Sequence, residues 1–151
     1  MMKRFMTFLV VGILAGAGFG CAVLRGSPDQ AKAMVEEAVA YLSANGPDKT
    51  LSELNKADGR FVKGDLYVFA YNLEAVIMAH PHISALVGHS LLNKPDSKGK
   101  LFRNEIMELA KTKGSGWVEY TYENPISKKQ EPKTTYVQRV GDLVLCAGAY
   151  K

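Results

Sequence analysis

The sequence predicts an α+β fold: one five-stranded antiparallel sheet, with a long N-terminal helix on one face and a helical and irregular insert on the other. Three observations carry this. A one-sided apolar stripe recurs at helical spacing in Ala31, Met34, Val35, Ala38, Val39 and Leu42. A strand at 66–71 is apolar at both parities, so both of its faces must be covered. The chain then closes in three strand-like runs joined by turns, the pattern of a meander. With 151 residues, 47% hydrophobic, and a mean hydropathy of -0.07, the chain suffices for one ordinary core and hardly two.

Met1 to Arg4 is short and basic, residues 5–19 are apolar and rich in Gly and Ala, and Cys21 follows. This is the order of an export signal, and the apolar run falls short of the about 20 residues a membrane span needs. The expected division is an export signal at 1–22 and one domain at 27–151. Three ends to the signal remain open: lipidation of Cys21 after Gly20, cleavage after Ala17, and cleavage after Ala22, with an uncleaved anchor as a fourth course. In each case the domain is expected to work outside the cytoplasm, in the periplasm or anchored to the membrane facing it.

Ser27-Pro28-Asp29-Gln30 starts the first helix, with an N-cap serine, proline at the first helical position and a glutamine placed to complete a capping box. Asn45-Gly46-Pro47 ends it, and a shorter helical piece is expected at 50–56. The strand at 66–71 reverses through Asn72-Leu73-Glu74-Ala75 into 76–79, a hairpin. From 80 to 100 regular period is lost, and an irregular segment of that length inside a compact domain is often functional. Helical spacing returns at 102–113, with Gly114 as the terminating residue. Strands at 117–123, 134–140 and 143–150 complete the chain.

The formal charge is +4, and removing Lys3 and Arg4 leaves 17 basic residues against 15 acidic. The lysines are interspersed with acids rather than gathered in a stripe, so nucleic acid is not expected as a partner. Cys21 and Cys146 stand at opposite ends with no metal-ligand spacing; they could pair only if both survive processing, and Cys146 alone is most simply a small buried hydrophobe. Ser115 sits in a Gly-Ser-Gly run without the rest of a nucleophile elbow, and no phosphate loop or haem-attachment motif is present, so neither catalysis nor a cofactor is expected. His80 and His82 have a spacing from which an extended segment could chelate a metal, but no acid or thiol stands near them in sequence.

Gly114 to Tyr122 and the following Pro132-Lys133 concentrate aromatic and cationic side chains. Tyr120 and Tyr122 share a strand face by parity, so their hydroxyls can both approach one cluster of bound oxygens; the plainer reading is two half-buried strand tyrosines. Trp117 has the opposite parity and joins them only if the Gly114-Ser115-Gly116 run makes a bulge. Lys133 follows a proline that holds its neighbour extended, and a fixed ammonium facing a carboxylate would form a charge-assisted hydrogen bond. Its plainer reading is a solvated surface lysine. Tyr67 and Phe102 are candidate walls, although Phe102 lies on a helical stripe and reads first as a core residue.

Asp65-Leu66-Tyr67-Val68-Phe69, Ala79-His80-Pro81, Leu86-Val87-Gly88, Gly114-Ser115-Gly116-Trp117-Val118-Glu119-Tyr120, Pro125, Pro132-Lys133, Tyr136 and the closing Ala147-Gly148-Ala149-Tyr150 together resemble the single Cache domain. That domain is the extracytoplasmic sensor module of bacterial chemoreceptors and histidine kinases. The resemblance runs from about Ser27 to the C-terminus. It implies a PAS-like sheet with a long capping helix and a pocket for a short organic acid such as acetate, propionate, pyruvate or lactate. It also implies that Tyr120, Tyr122 and Lys133 are the polar anchors of that pocket, with Trp117, Tyr67 and His80 as its walls. Only Lys151 follows Tyr150, so a stand-alone exported form is expected, signalling through a separate membrane kinase, chemoreceptor or transporter. The alternatives are an envelope interaction module with a filled pocket, and a metal or haem carrier using the histidine segment.

Overall fold

A computed structural model describes residues 25–151; the export signal expected at 1–22, and Cys21 with it, lie outside the described residues. Helix α1 (Pro28–Asn45) begins in a complete capping box. Ser27 Oγ accepts the Gln30 N–H at 3.2 Å, and Gln30 Oε1 accepts the Ser27 N–H at 2.9 Å. Gly46, at φ 78°, turns the chain straight into helix α2 (Pro47–Leu54). This second helix starts three residues before the expected 50–56, because Pro47 takes the first helical position directly after that turn.

Six strands follow the expected order with one addition: β1 (Val62–Lys63), β2 (Leu66–Asn72), β3 (Ile77–Ala79), β4 (Ser115–Glu123), β5 (Gln130–Val140) and β6 (Leu143–Tyr150). All pairings are antiparallel, in the order β1-β2-β6-β5-β4, with β3 also paired to β2. The added strand, β1, is only two residues long, too short to leave a periodic signal. The β2–β3 reversal is held by Asn72 Oδ1, which accepts the N–H groups of Glu74 and Val76 at 2.9 Å.

The alternation along β2 separates two cores. Leu66, Val68 and Ala70 pack with Ala31, Met34, Val35 and Ala38 of α1 and with Leu145, Ala147 and Ala149 of β6. Tyr67, Phe69 and Tyr71 face the other way, toward helix α3 (Phe102–Thr112), whose Phe102, Ile106, Met107 and Ala110 cover Val118, Tyr120 and Cys146. The apolar character of β2 at both parities thus has a direct cause, since each face lies under a helix. Gly114 at φ 80° ends α3, its N–H bonded to the Leu109 carbonyl at 3.0 Å.

Candidate ligand site

Between β3 and α3 the chain makes a single 3-10 turn (Ser84–Leu86) and otherwise runs irregularly over the α3 side of the sheet. It leaves a cavity of about 380 Å³. Tyr67 and Tyr122 form its sheet wall, His80 and His82 one flank, Asp96 and Phe102 with Arg103 another, and Pro125 with Lys128 of the β4–β5 loop its rim. Asp96 fastens the covering turn to the sheet edge: Oδ1 accepts the N–H of Lys98 at 2.9 Å and of Lys100 at 2.8 Å, while Oδ2 accepts the Thr121 N–H at 2.8 Å. Burial alone would raise the Asp96 pKa, but these N–H groups outweigh it and hold the carboxyl below its ordinary range.

Register explains the setting of Lys133. It lies opposite Tyr120 on β4 and opposite Tyr150 on β6. Its side chain is fully buried at 1% exposure, directly behind Tyr67. Nζ donates to Tyr67 Oη at 2.8 Å and to Tyr150 Oη at 3.2 Å, and stands 4.1 Å from the Tyr67 ring centroid. Tyr150 in turn donates to the Glu123 carbonyl at 2.8 Å. The Tyr67 and Tyr150 hydroxyls lie 3.2 Å apart, so with the Tyr150 proton committed to Glu123, Tyr67 is the donor to Tyr150, and a ligand oxygen would have to draw that proton away into the cavity. Burial lowers the Lys133 pKa to about 7, and the same burial drives those of Tyr67 and Tyr150 upward.

Arg103 brings a second buried cation from α3, 5% exposed. Nε donates to Tyr71 Oη at 3.3 Å, Nη1 donates to the Lys94 carbonyl at 3.2 Å, and the guanidinium lies 4.2 Å from the Phe102 ring centroid. Among the described residues neither Arg103 nor Lys133 has a carboxylate in ion-pair range.

His80 is a neutral donor in this setting. Its Nδ1 accepts the backbone N–H groups of His82 and Ile83, both at 3.2 Å, which places the ring proton on Nε2. Burial, with the charges of Lys133, His82 and Arg103 added, pushes its pKa down to about 3. The His80 Nδ1 lone pair is therefore already engaged. Among the described residues no three His, Cys, Asp or Glu side chains converge as a metal site.

The residues singled out in the sequence part company here. Tyr67, His80 and Tyr122 line the cavity, and Lys133 stands one layer behind it. Tyr120 shares the face of Tyr122, yet it is stacked on Phe102 with centroids 3.8 Å apart, and its hydroxyl accepts from Thr135 Oγ1 at 2.9 Å. Trp117 does not join them. The β4–β5 ladder runs without a register shift from Ser115 to Glu123, so no bulge reverses its parity, and the ring packs on Tyr136 at 5.1 Å on the α1 side, 40% exposed. Arg103 went unnoticed in the sequence, although a signal existed: it occupies the buried stripe 103, 106, 107, 110, where an arginine needs a reason to be.

A PAS-like sheet with a lidded, cation-lined cavity on one face is the architecture of a ligand-sensing domain. A model of the Cache domain family matches residues 27–150, and the chain belongs to that family as a single Cache domain. Similar solved structures include a methyl-accepting chemotaxis protein from Vibrio parahaemolyticus RIMD 2210633, at 23% identity and TM-score 0.69, covering 81% of this chain and 86% of that one. The periplasmic sensor domain of a chemotaxis protein is 26% identical with TM-score 0.64, covering 81% and 88%. A Cache chemosensory domain described for its carboxylic acid recognition is 25% identical with TM-score 0.63, covering 81% and 86%. Among the described residues no helix is long and apolar enough to cross a membrane.

Proposed function

We propose that this domain senses a small organic acid outside the cytoplasm and passes the binding event to a separate membrane sensor kinase, chemoreceptor or transporter. The observation that carries the reading is a pair of buried cations, Arg103 on the cavity lining and Lys133 directly behind its Tyr67 wall, neither with a carboxylate in ion-pair range among the described residues. Buried charges are ordinarily paired, and an unpaired one is costly until an anion arrives. A bound carboxylate would take the open hydrogen-bonding capacity of Arg103, the Tyr67 hydroxyl polarised by Lys133, and the Nε2–H of His80. Tyr122 completes the wall, and Tyr120 supports it from behind. Carboxylic acid recognition by a related chemosensory domain supports the same ligand class.

The test is calorimetric titration of the full protein with acetate, propionate, lactate and pyruvate. At least one is expected to bind, with affinity falling tenfold or more in Arg103→Met, as the loss of a charge-assisted contact requires. Absence of binding by all four would remove the reading.

A further inference from the structure

The cavity wall is joined by hydrogen bonds to the point where the chain enters α1. Asp65, in the turn between β1 and β2, is 0% exposed, yet no cation stands in ion-pair range of it among the described residues. Its two oxygens are held by segments far apart in the chain. Oδ1 accepts the Gly26 N–H at 2.8 Å, and Oδ2 accepts Asn124 Nδ2 at 3.4 Å. A buried carboxylate that loses either donor is left partly unsatisfied, so the two segments are held jointly. Gly26 lies flush on β2, where a Cβ would fall 2.0 Å from Leu66 Cγ. Arg25 adds an ion pair with Glu131 at 3.5 Å, and Glu131 also accepts from Asn124 Nδ2 at 3.0 Å.

Asn124, 3% exposed, ties this clip to the site. Its two neighbours, Glu123 and Pro125, line the cavity, and the Glu123 carbonyl accepts the Tyr150 hydroxyl at 2.8 Å. Tyr150 is bonded in turn to Tyr67 of the cavity wall at 3.2 Å. A continuous path therefore runs from Tyr67 through Tyr150, Glu123 and Asn124 to Asp65 and Gly26. Its switching element is the Tyr67 proton, which goes to Tyr150 unless a ligand oxygen in the cavity takes it. A hydroxyl that accepts one bond fewer is a weaker donor, so the hold of Tyr150 on the Glu123 carbonyl then slackens.

We propose that this path is a regulatory link: occupation of the cavity loosens the grip on Gly26, so the binding event leaves the domain at the entry to α1, beside the segment expected to carry the export signal and Cys21. The link rests on the reading of the cavity as a ligand site and does not depend on which acid fills it.

The experiment is amide hydrogen exchange by NMR on the full protein, with Gly26 read against Val137 in the buried middle of β5. Tyr150→Phe removes the bond to Glu123 and keeps the ring. In that variant Gly26 should exchange about fivefold faster relative to Val137, as the loss of one hydrogen bond implies. Asp65→Asn keeps an acceptor for the Gly26 N–H but sets an amide donor against Asn124 Nδ2, so in that background Tyr150→Phe should have no further effect. Tyr120→Phe, off the path, should leave the ratio of the two rates unchanged. Acetate, propionate, lactate and pyruvate are then added in excess, with calorimetry reporting which of them bind. A bound acid should slow Val137 by stabilising the fold while it speeds Gly26. No effect of Tyr150→Phe, an equal effect of Tyr120→Phe, additive effects of Tyr150→Phe and Asp65→Asn, or a bound acid that slows both amides alike overturns the link and leaves the ligand site standing. If none of the four acids binds, the ligand site and the link fall together.

Discussion

The Lys133 ammonium lies 2.8 Å from the Tyr67 hydroxyl and 4.1 Å from the centre of the same ring, so a single tyrosine supplies both an acceptor and a π face to a cation sealed from water. Ring face and hydroxyl compensate only part of the lost hydration, since neither carries a full negative charge. The burial of Lys133 is therefore a standing cost to the unliganded fold.

That cost depends on pH with a definite sign. Lys133 has a folded pKa of about 7, well below the ordinary 10.5 of an exposed lysine, so between these values the unfolded chain binds more protons than the folded one. Unliganded stability is then lowest at and below pH 7 and rises toward pH 10, by about 3 kcal/mol between pH 7 and 9.5. Chemical denaturation across that range should show the rise in wild type and not in Lys133→Met, which should be the more stable protein at pH 7. A flat wild-type profile would contradict the setting described for Lys133.

The histidine pair acts at lower pH. His80, with its pKa near 3, stays neutral in the fold while the unfolded chain takes up a proton below about pH 6.5, and His82 is shifted in the same direction. Stability should fall as pH drops from 6.5 to 4.5, by about 2 kcal/mol through His80, before carboxylates contribute. His80→Asn keeps an acceptor for the two backbone N–H groups and should flatten this limb of the denaturation profile.

The two neighbouring tyrosines should separate in their effects. Tyr120→Phe removes a hydroxyl bonded to Thr135 away from the cavity, so it should cost about 1 kcal/mol of stability and leave affinity for organic acids unchanged. Tyr122→Phe alters the cavity wall and should weaken binding with little change in melting temperature. Trp117→Ala, on the opposite face, should leave binding untouched. A loss of affinity in Tyr120→Phe or Trp117→Ala equal to that in Tyr122→Phe would contradict this geometry.

Gly148 makes the burial of Lys133 possible. A Cβ at Gly148 would fall closest to Thr135 Oγ1 and also within 2.7 Å of Lys133 Cε and 2.9 Å of the Thr134 carbonyl, closer than real contacts permit. Gly148→Ala should therefore destabilise by about 2 kcal/mol and weaken acid binding, both measurable in one calorimetric series. The double variant Gly148→Ala with Lys133→Met should recover part of the stability, since a methionine has no ammonium held by Tyr67 and Tyr150 and its flexible thioether can turn the terminal methyl away from the new Cβ.

Most of the architecture was legible in local pattern. Ser27-Pro28-Asp29-Gln30 starts a helix wherever it stands, because the cap is satisfied within four residues, and the run from Leu66 to Tyr71, apolar at both parities, implies two covered faces whatever covers them. The shared face of Tyr120 and Tyr122 follows from strand geometry alone. Other properties arise only when distant segments meet. That Tyr120 is sealed by Phe102 and Thr135, that Trp117 faces α1, and that Lys133 and Arg103 enter the interior with no acid in ion-pair range among the described residues are consequences of ladder register and of the path taken by residues 80–100. Side-chain direction is written into the chain because it depends on φ and ψ. Burial and charge pairing are not, because they depend on which surfaces the folded chain brings together.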